Sequence, residues 1–450
     1  MLSNFHLYCF PKIRKFRLDF MDISLSDRYI LLMLYGEIIK HLYSDYNKPV
    51  RDPIWKHIYL SEGLFKIVSS QPFQKLNGIK QLGPAYHVYP GATHTRFNHS
   101  LGVFYLAHKM ASLLDFEKYD IPITLEGVKS FLCAALLHDI GHFPYAHSLK
   151  ELPLYKHEQL TGEIILNSEI SSIIGDSVKT DPYCVAAIVD DNLSDNNNPE
   201  IAFFRRILSG VLDPDKLDYL NRDAYFCGIP YGIQDIDFLI SKMVPDFKRG
   251  IGVNEQGMSG IENILFSKYL MYKSVYWHKA VRIATAMIKK ALYTALYEKA
   301  IKPENLYQID DDQFVNRFVK EKHPSFELIE KVKYRNLYKT VYEENFSPKN
   351  RFHVDCLDLE RRFLSEEDLA KRLNTKPGGI IIDIPEPISF EIDVPIFYED
   401  VAVNFSESDT VFQPDAVKRF TATLRKIRIF ASPEIYDKAL TFFGNKGWKK

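Results

Sequence analysis

The sequence predicts a mainly α-helical protein with a smaller α+β region at its C-terminal end. Apolar residues recur at helical spacing through most of residues 49–300. Residues 128–138 are apolar nearly all round, which is typical of a central, buried helix. After about residue 301 the composition shifts, and short runs rich in isoleucine and valine predict β-strands. We therefore divide the chain into an N-terminal helical extension (1–48), a helical core (49–300) and an α+β region (301–450).

The composition is that of a globular protein. The chain has 450 residues, of which 46% are hydrophobic and 26% charged, and its formal net charge is −1. This balance disfavours a protein that coats nucleic acid through its overall field, although it leaves a local basic pocket open. No apolar run approaches the roughly 20 residues that span a bilayer. The five cysteines form no regular framework, so we expect reduced thiols in a cytoplasmic protein. Because of the short apolar runs, we also expect no membrane partner.

The N-terminal extension is predicted to contain one amphipathic helix over residues 23–43. Apolar residues such as Leu34 and Ile38 recur there at helical spacing, and Ser24 or Ser26 is suited to cap the helix. We interpret this helix as a packing or oligomerisation element rather than as part of a site.

Two predicted helices dominate the core. Residues 100–114 place an apolar stripe on one helix face, and residues 128–138 form the buried helix, which Gly141 then breaks. Residues 190–199 are polar and rich in turn formers, so they predict a surface loop.

The C-terminal region predicts mixed structure. Residues 327–343 are charged and predict a helix, whereas residues 379–385, 401–405 and 427–431 predict β-strands. No cluster of reactive side chains occurs in this part of the sequence.

Histidines are concentrated in one part of the core. Of the 14 histidines, eight lie in the 71 residues from His87 to His157, where even spreading would place about two. Such a concentration is typical of metal sites and acid–base sites. We interpret His87, His94 and His108 as core or satisfied polar histidines and assign them no catalytic role.

The adjacent pair His138 and Asp139 closes the buried helix. Neighbouring helical residues project about 100° apart, which suits the nearly perpendicular ligand directions of an octahedral Mg²⁺ or Mn²⁺ ion. A histidine beside an aspartate is by itself more typical of a surface turn or a helix cap. The preceding apolar helix and the two further histidines within nine residues favour a metal site instead.

A second acidic cluster occurs at residues 213–223. Helical spacing places Asp215, Tyr219 and Asp223 along one side, with Lys216 beside them. One metal-binding aspartate next to a lysine and a tyrosine would make a surface for phosphate and sugar. The alternative is a solvated acidic helix start, stabilised by the helix dipole.

These stretches, in this order, resemble the HD-domain phosphohydrolases, and most closely the deoxynucleoside triphosphate triphosphohydrolase branch. Residues 51–61, 73–83 and 269–279 support the resemblance, which runs with gaps from about residue 49 into the C-terminal region. The joint occurrence of the motifs is specific, whereas an isolated HD dipeptide is not. The motifs are TRFNHSLGV (95–103), LLHDIGHFPYAH (136–147), KHE (156–158) and DPDKLDYLNRD (213–223).

The resemblance implies a fold and an activity. It implies a helical HD-domain core that hydrolyses deoxynucleoside triphosphates (dNTPs) to deoxynucleoside and inorganic triphosphate. It also implies a homo-oligomer, either a dimer or a tetramer, and a divalent ion that is Mg²⁺, Mn²⁺, Fe²⁺ or Zn²⁺. The implied metal ligands are His99, His138, Asp139 and Asp215.

The resemblance also implies how the substrate is held. The substrate-binding residues fall into three groups, which contact the phosphates (Arg96 and Lys216), the 3′-hydroxyl (Gln81, with Tyr219 or Asp223) and the crowded 2′ position that excludes ribonucleotides (Leu82 and Tyr276).

The implied catalytic residues are His142, His147 and His157 along the triphosphate path, with Glu158 orienting His157. Their chemistry fits this role, because an imidazole can protonate the departing 5′-oxygen after attack of water at the α-phosphorus. His147 and His157 are both candidates for this acid, and their spacing does not separate them.

Two departures from the family pattern affect the site. Related enzymes carry a carboxylate three residues after His147, whereas this chain has Lys150, and Glu151 is turned about 100° away. A cation beside His147 depresses its pKa, which favours His157 as the acid. Phe143 replaces a usual glycine and predicts a narrower pocket mouth.

A third departure concerns regulation. Ser69 and Asn77 occupy the positions where family members activated by guanine nucleotides carry an aspartate and an arginine. Neither residue can make a charged, bidentate contact with guanine, so we expect no activation by GTP at that site.

Two other functions are compatible with the sequence. One is a related phosphohydrolase or phosphodiesterase that acts on another nucleotide or on single-stranded nucleic acid. The neutral net charge speaks weakly against polymers, and Gln81, Leu82 and Tyr276 speak against ribonucleotides. The other is a catalytically weak nucleotide-binding regulator, which Lys150 keeps open.

Overall fold

The computed structural model describes residues 25–399 and 401–444, and the predicted fold class is confirmed. Helix accounts for 57% of the structure, and the sheets have only two to four strands each. The helices before residue 300 are α1 (Leu25–Ser44), α2 (Glu62–Ser69), α3 (Gln71–Gln74), α4 (Arg96–Leu113), α5 (Leu125–Leu137), α6 (His157–Asn167), α7 (Glu169–Ile173), α8 (Pro182–Val189), α9 (Pro199–Leu208), α10 (Pro214–Cys227), α11 (Ile236–Lys242), α12 (Met258–Met271) and α13 (Lys279–Tyr297).

Helix α5 lies at the centre of the core, as its apolar sequence predicts. It begins after Thr124, whose side chain accepts a hydrogen bond from the Gly127 backbone N–H. Phe131, Cys133 and Leu137 are at most 1% exposed. Helices α1, α4, α8 and α9 pack around it, so the residues that follow its C-terminal end are placed inside the protein.

The two helices that flank the end of α5 are positioned by their caps. At the start of α4, the Asn98 side-chain oxygen accepts hydrogen bonds from the Thr95 backbone N–H at 3.1 Å and from the Thr95 hydroxyl at 3.0 Å. At the start of α10, the Asp213 side chain accepts from the Lys216 backbone N–H, and the helix ends at Gly228 with φ +66°. These caps fix where α4 and α10 begin, and they therefore fix the directions in which the side chains of the first turns point.

The predicted helix at residues 23–43 corresponds to α1, whereas residues 1–24 lie outside the described part of the chain. Among the residues that the structure describes, no helix has both the length and the apolar character needed to cross a bilayer.

The chain after residue 300 mixes helices and strands, as predicted, whereas the described part before it also contains four strands that the sequence did not predict. The remaining helices are α14 (Asp311–Lys320), α15 (Glu327–Lys333), α16 (Arg351–Asp355), α17 (Leu359–Arg372), α18 (Pro414–Leu424) and α19 (Tyr436–Gly444). The strands are β1 (Lys48–Asp52), β2 (Lys56–Leu60), β3 (Met243–Asp246), β4 (Gly250–Asn254), β5 (Lys339–Asn345), β6 (Ile380–Asp383), β7 (Pro395–Phe397), β8 (Ala402–Asn404) and β9 (Lys426–Ala431).

These strands form three small sheets. Strands β1 and β2 form an antiparallel hairpin, and a second sheet has the order β3-β4-β7-β8, with β4 and β7 parallel. The third sheet has the order β5-β9-β6 and is antiparallel throughout. The three strands predicted in the C-terminal region are confirmed as β6, β8 and β9.

The prediction of one helix over residues 327–343 was wrong in its second half. Helix α15 ends at Lys333, and Arg335 adopts a positive φ of 60°. The following residues form β5, in which Lys339 pairs with Ala431 of β9. Pairing with a strand about 90 residues further along the chain overrides the local helical pattern, because strand preference depends on neighbouring strands.

Glu151 connects the core to the C-terminal region. Its carboxylate accepts hydrogen bonds from Arg362 Nη2 at 2.8 Å and Nη1 at 3.1 Å, and it also pairs with Lys289. Burial by itself raises the pKa of Glu151, but the hydrogen bonds from Arg362 and the charge of Lys289 outweigh it and lower the pKa from 4.5 to about 2. The unfolded chain therefore takes up the proton first, and the ion pairs lose their stabilising effect as the pH falls from 4.5 towards about 2.

Replacing Glu151 with glutamine is expected to lower the free energy of unfolding by about 3 kcal/mol at pH 7, because it leaves two largely buried cations without their carboxylate. The difference from the wild type should shrink below pH 4, where the wild-type carboxylate also begins to be lost. Urea denaturation at pH 7 and at pH 3 measures both effects. The exposed Glu163→Gln variant serves as the control, and equal stability of the two variants at pH 7 would contradict the assignment.

Candidate active site

Three helix ends bring four predicted metal ligands together. His99 lies in the first turn of α4, His138 and Asp139 follow the end of α5, and Asp215 lies in the first turn of α10. His99 Nε2 is 2.9 Å from Asp215 Oδ1 and 3.8 Å from Asp139 Oδ2. His138 Nε2 is 3.5 Å from Asp139 Oδ1 and 4.0 Å from Asp215 Oδ1. Residues far apart in the sequence therefore present two imidazoles and two carboxylates to one point.

Hydrogen bonds on the far side of each ring orient the two histidines. His138 Nδ1 lies 2.9 Å from the Ala135 carbonyl oxygen, and His99 Nδ1 lies 2.8 Å from Asp218 Oδ2. Both rings therefore direct Nε2 towards the carboxylates. His138 Nε2 is buried and has no hydrogen-bond partner within residues 25–399 and 401–444. A set of two imidazoles and two carboxylates with such an orphaned nitrogen fits a divalent cation.

The charges of the cluster are strongly coupled. Burial raises the pKa of Asp139, but Arg96, whose Nη1 is 2.6 Å from Oδ2, holds it well below the usual range. Burial lowers the pKa of His99, but its hydrogen bonds with Asp215 and Asp218 raise it to about 10. Binding of a cation requires neutral imidazole, so it would displace a proton from His99.

His142, His147 and His157 form a second cluster next to the first. The rings of His142 and His157 stack at 4.0 Å, and the His147 ring lies 4.7 Å and 5.2 Å from them. His142 Nε2 is 3.0 Å from Asp139 Oδ1, which joins the two clusters. Desolvation, followed by the charge of Arg96, lowers the pKa of His142 to about 4.

His157 and His147 differ in their surroundings. His157 Nδ1 lies 3.2 Å from Glu158 Oε2 at the start of α6. Glu151 is engaged with Arg362, and Lys150 has no hydrogen-bond or ion-pair partner among the described residues. Desolvation, with the nearby positive charges, lowers the pKa of both histidines well below 6.5.

Both clusters open into one cavity of about 490 Å³. The cavity walls contain most of the residues proposed from the sequence for the metal, the acid and the sugar. These lining residues are Gln81, Leu82, Arg96, His138, Asp139, His147, His157, Asp215, Tyr219, Asp223 and Tyr276. His99, His142 and Glu158 stand directly behind this lining, in contact with it.

Hydrogen bonds order the part of the cavity that contains Tyr276 and Gln81. Asp223 accepts from the Tyr276 hydroxyl at 2.7 Å, and His94 Nε2 lies 2.8 Å from its other oxygen. The Gln81 Oε1 atom is buried and has no hydrogen-bond partner in the described part of the chain. Burial raises the pKa of Tyr276 well above 10, so the hydroxyl stays neutral and remains a donor. His94, which the sequence interpretation left aside, thus supports a cavity residue.

Lys216 does not line the cavity, which changes the interpretation of its role. Its ammonium group donates to the Gly210 carbonyl at 2.8 Å and to Asp213 at 2.6 Å, and it lies 3.1 Å from Glu391. These three contacts saturate its donors. Lys216 therefore ties the start of α10 to the segment before β7.

Other cations line the cavity instead, and sequence reasoning missed them. They are Lys268, Arg282 and Lys289, and Tyr272 stands near them. One sequence signal could have pointed to Lys268. Lys268, Tyr272 and Tyr276 are spaced at i, i+4 and i+8, which places them on one helix face.

Two family models and several known proteins match this chain. The HD domain family model matches residues 96–188, and the HD associated region model matches residues 235–440. The uncharacterized protein MJ1154 of Methanocaldococcus jannaschii is 35% identical over 293 residues, which cover 64% of this chain and 58% of the relative. The human deoxynucleoside triphosphate triphosphohydrolase SAMHD1 is 28% identical over 315 residues, which cover 63% of this chain and 50% of the relative.

A solved structure resembles most of the chain. The crystal structure of a hypothetical protein from Aquifex aeolicus matches with a TM-score of 0.69 and 27% identity, covering 88% of this chain and 99% of that one. The alignments span only 50% to 58% of the two curated relatives. The HD domain match contains His99, His138 and Asp139, and the HD associated region follows it in the sequence. The chain therefore contains an HD domain followed by an HD associated region.

Proposed function

We propose that the protein hydrolyses deoxynucleoside triphosphates to deoxynucleoside and inorganic triphosphate in a metal-dependent reaction. The observation that carries this proposal is one cavity with two different parts. One part of the lining consists of His138, Asp139, His147 and His157 with several cations, and the other consists of Gln81, Leu82, Asp223 and Tyr276. His99 and His142 stand directly behind the first part. The name of the human relative, a deoxynucleoside triphosphate triphosphohydrolase, supports the same choice.

His99, His138, Asp139 and Asp215 would hold the divalent cation. When bound there, such a cation lowers the pKa of water and neutralises charge on a phosphoryl oxygen. Arg96 uses one of its five N–H donors on Asp139, so others are available to phosphate oxygens.

Lys268 replaces Lys216 as the phosphate-binding lysine in this proposal. Its ammonium group donates to the Ser389 carbonyl at 2.6 Å and keeps two further donors at the cavity wall. Lys150 also lines the cavity and adds an unpaired positive charge there. Together these cations match the charge of a polyphosphate chain.

The other part of the cavity would select the sugar. The free Gln81 Oε1 can accept a hydrogen bond from the 3′-hydroxyl. Asp223 fixes the Tyr276 ring by accepting a hydrogen bond from the Tyr276 hydroxyl, and Leu82 also lines the cavity. A ring held in this way cannot move aside for a 2′-hydroxyl, which favours deoxyribonucleotides.

Incubation of the Mn²⁺-loaded protein with each dNTP and each NTP tests the proposal. We expect deoxynucleoside and inorganic triphosphate, identified by chromatography and ³¹P NMR, with NTPs turned over at least about tenfold more slowly. Addition of GTP should leave the rates unchanged, in keeping with Ser69 and Asn77. Release of monophosphate or diphosphate would indicate another phosphohydrolase, and binding without turnover would indicate a nucleotide-binding regulator.

A further inference from the structure

His99 is held from behind by a buried chain of charged residues. Its Nδ1 lies 2.8 Å from Asp218 Oδ2. The same carboxylate accepts from Arg222 Nε at 2.8 Å and Nη2 at 2.9 Å. Arg222 Nη1 in turn donates to Asp52 Oδ2 at 2.8 Å. Asp52, Asp218 and Arg222 are each at most 2% exposed, so this chain is shielded from solvent.

The chain ends in the β1–β2 hairpin, which lies outside the cavity lining. Asp52 is the last residue of β1, and its Oδ1 accepts from the Ile54 and Trp55 backbone N–H groups in the hairpin turn. The Trp55 indole N–H donates to Asp218 Oδ1 at 2.6 Å. The hairpin thus contacts Asp218 both directly and through Arg222.

Helix α4 is shaped to admit this chain. A Cβ atom on Gly102 would lie 1.9 Å from Asp218 Oδ1 and 2.4 Å from Arg222 Nη2. Only glycine at this position lets the ion pair approach α4 one turn beyond His99. Burying several charged groups is unfavourable unless each one is paired, and every oxygen of Asp218 has a donor here.

We propose that Asp218 is a positioning residue for the metal ligand His99, and that Arg222 and the β1–β2 hairpin fix Asp218 in place. Asp218 accepts a hydrogen bond from Nδ1, so the nitrogen that gives up its proton and binds a cation is Nε2. The inference rests on the proposed function only in placing a divalent cation at His99. Residues 51–61 thus acquire a role at the metal site, although they do not line the cavity.

Mn²⁺ binding to the metal-depleted full-length protein, measured by isothermal titration calorimetry, tests the proposal without nucleotide. Asp218→Asn should weaken Mn²⁺ binding about 10- to 100-fold, because the ring loses its anionic anchor. Trp55→Phe removes one hydrogen bond to Asp218 and should weaken binding less than Asp218→Asn does. Asp191→Asn, in the exposed loop, is the matched control and should bind as the wild type does.

A spectroscopic readout covers the case in which Asp218→Asn does not fold. In the Zn²⁺-loaded wild-type protein, ¹⁵N-histidine NMR should show His99 protonated at Nδ1 and bound to zinc through Nε2. Zinc at Nδ1, or wild-type Mn²⁺ affinity in folded Asp218→Asn, would overturn the proposal. Failure of the wild type to bind Mn²⁺ would instead contradict the metal site and thus the proposed function.

Discussion

Asp215→Asn is expected to reduce turnover of deoxynucleoside triphosphates by at least about 10³-fold, because under the proposed function Asp215 helps to hold a cation that would supply several kcal/mol of charge stabilisation. Asparagine keeps the size of the side chain but removes its charge. The His99 Nε2 atom, now 2.9 Å from Asp215 Oδ1, would face a neutral amide instead of a carboxylate. Loss of one of two anionic ligands therefore weakens both the metal site and the reaction that depends on it.

Metal content and kinetics of purified Asp215→Asn, measured side by side, check this expectation. The exposed Asp176→Asn variant is the control, since Asp176 lies outside the cavity. Treatment of the wild type with a chelator should reproduce the Asp215→Asn phenotype, and added Mn²⁺ should restore only the wild type. If Asp215→Asn turns over substrate at the wild-type rate, Asp215 is not a metal ligand.

The candidate metal ligands could be picked out from the sequence because the features that mark each of them are local. His138 and Asp139 follow an apolar helix that has to be buried, and the first turn of a capped helix carries Asp215. Spacing and burial therefore indicated which side chains point inward. The resemblance to a family supplied the remaining step, namely that these helix ends meet.

The lysines around the site were not predictable in the same way. Lys216 lies next to Asp215 in the sequence, yet its ammonium group faces Gly210 and Glu391. Lys268, in contrast, reaches the cavity from a helix more than 50 residues away from Asp215. Which of two lysines meets a substrate depends on contacts between distant segments, and no local pattern reports those contacts.

The surroundings of the two candidate acids, His147 and His157, were predictable to a larger extent. The sequence predicts that Glu151 turns away from His147, and the structure places Glu151 against Arg362 and Lys289. The family resemblance implies that Glu158 orients His157, and in the structure the Glu158 carboxylate lies 3.2 Å from His157 Nδ1. This contact distinguishes the two candidate acids.

His157→Ala is expected to lower kcat by roughly 10²- to 10⁴-fold, the usual range for loss of a general acid. Desolvation and nearby cations lower the pKa of His157 well below 6.5, so the free protein holds it neutral. A bound polyphosphate brings several negative charges next to the ring and raises its pKa, and Glu158 stabilises the imidazolium that results.

His147→Ala should have a smaller effect on kcat than His157→Ala and should act mainly on KM. The charge of Lys150 contributes to lowering the pKa of both His147 and His157, so it does not separate them. What separates them is the Glu158 carboxylate, which lies 3.2 Å from His157 Nδ1, whereas His147 has no ion-pair partner among the described residues. A neutral His147 can still donate a hydrogen bond to a phosphate oxygen, and that contact is reported by KM. Steady-state kinetics of both variants, with equal metal content verified, separate the two roles. A larger loss of kcat in His147→Ala than in His157→Ala would reverse the assignment, because the proton would then have to come from a ring without an anionic partner.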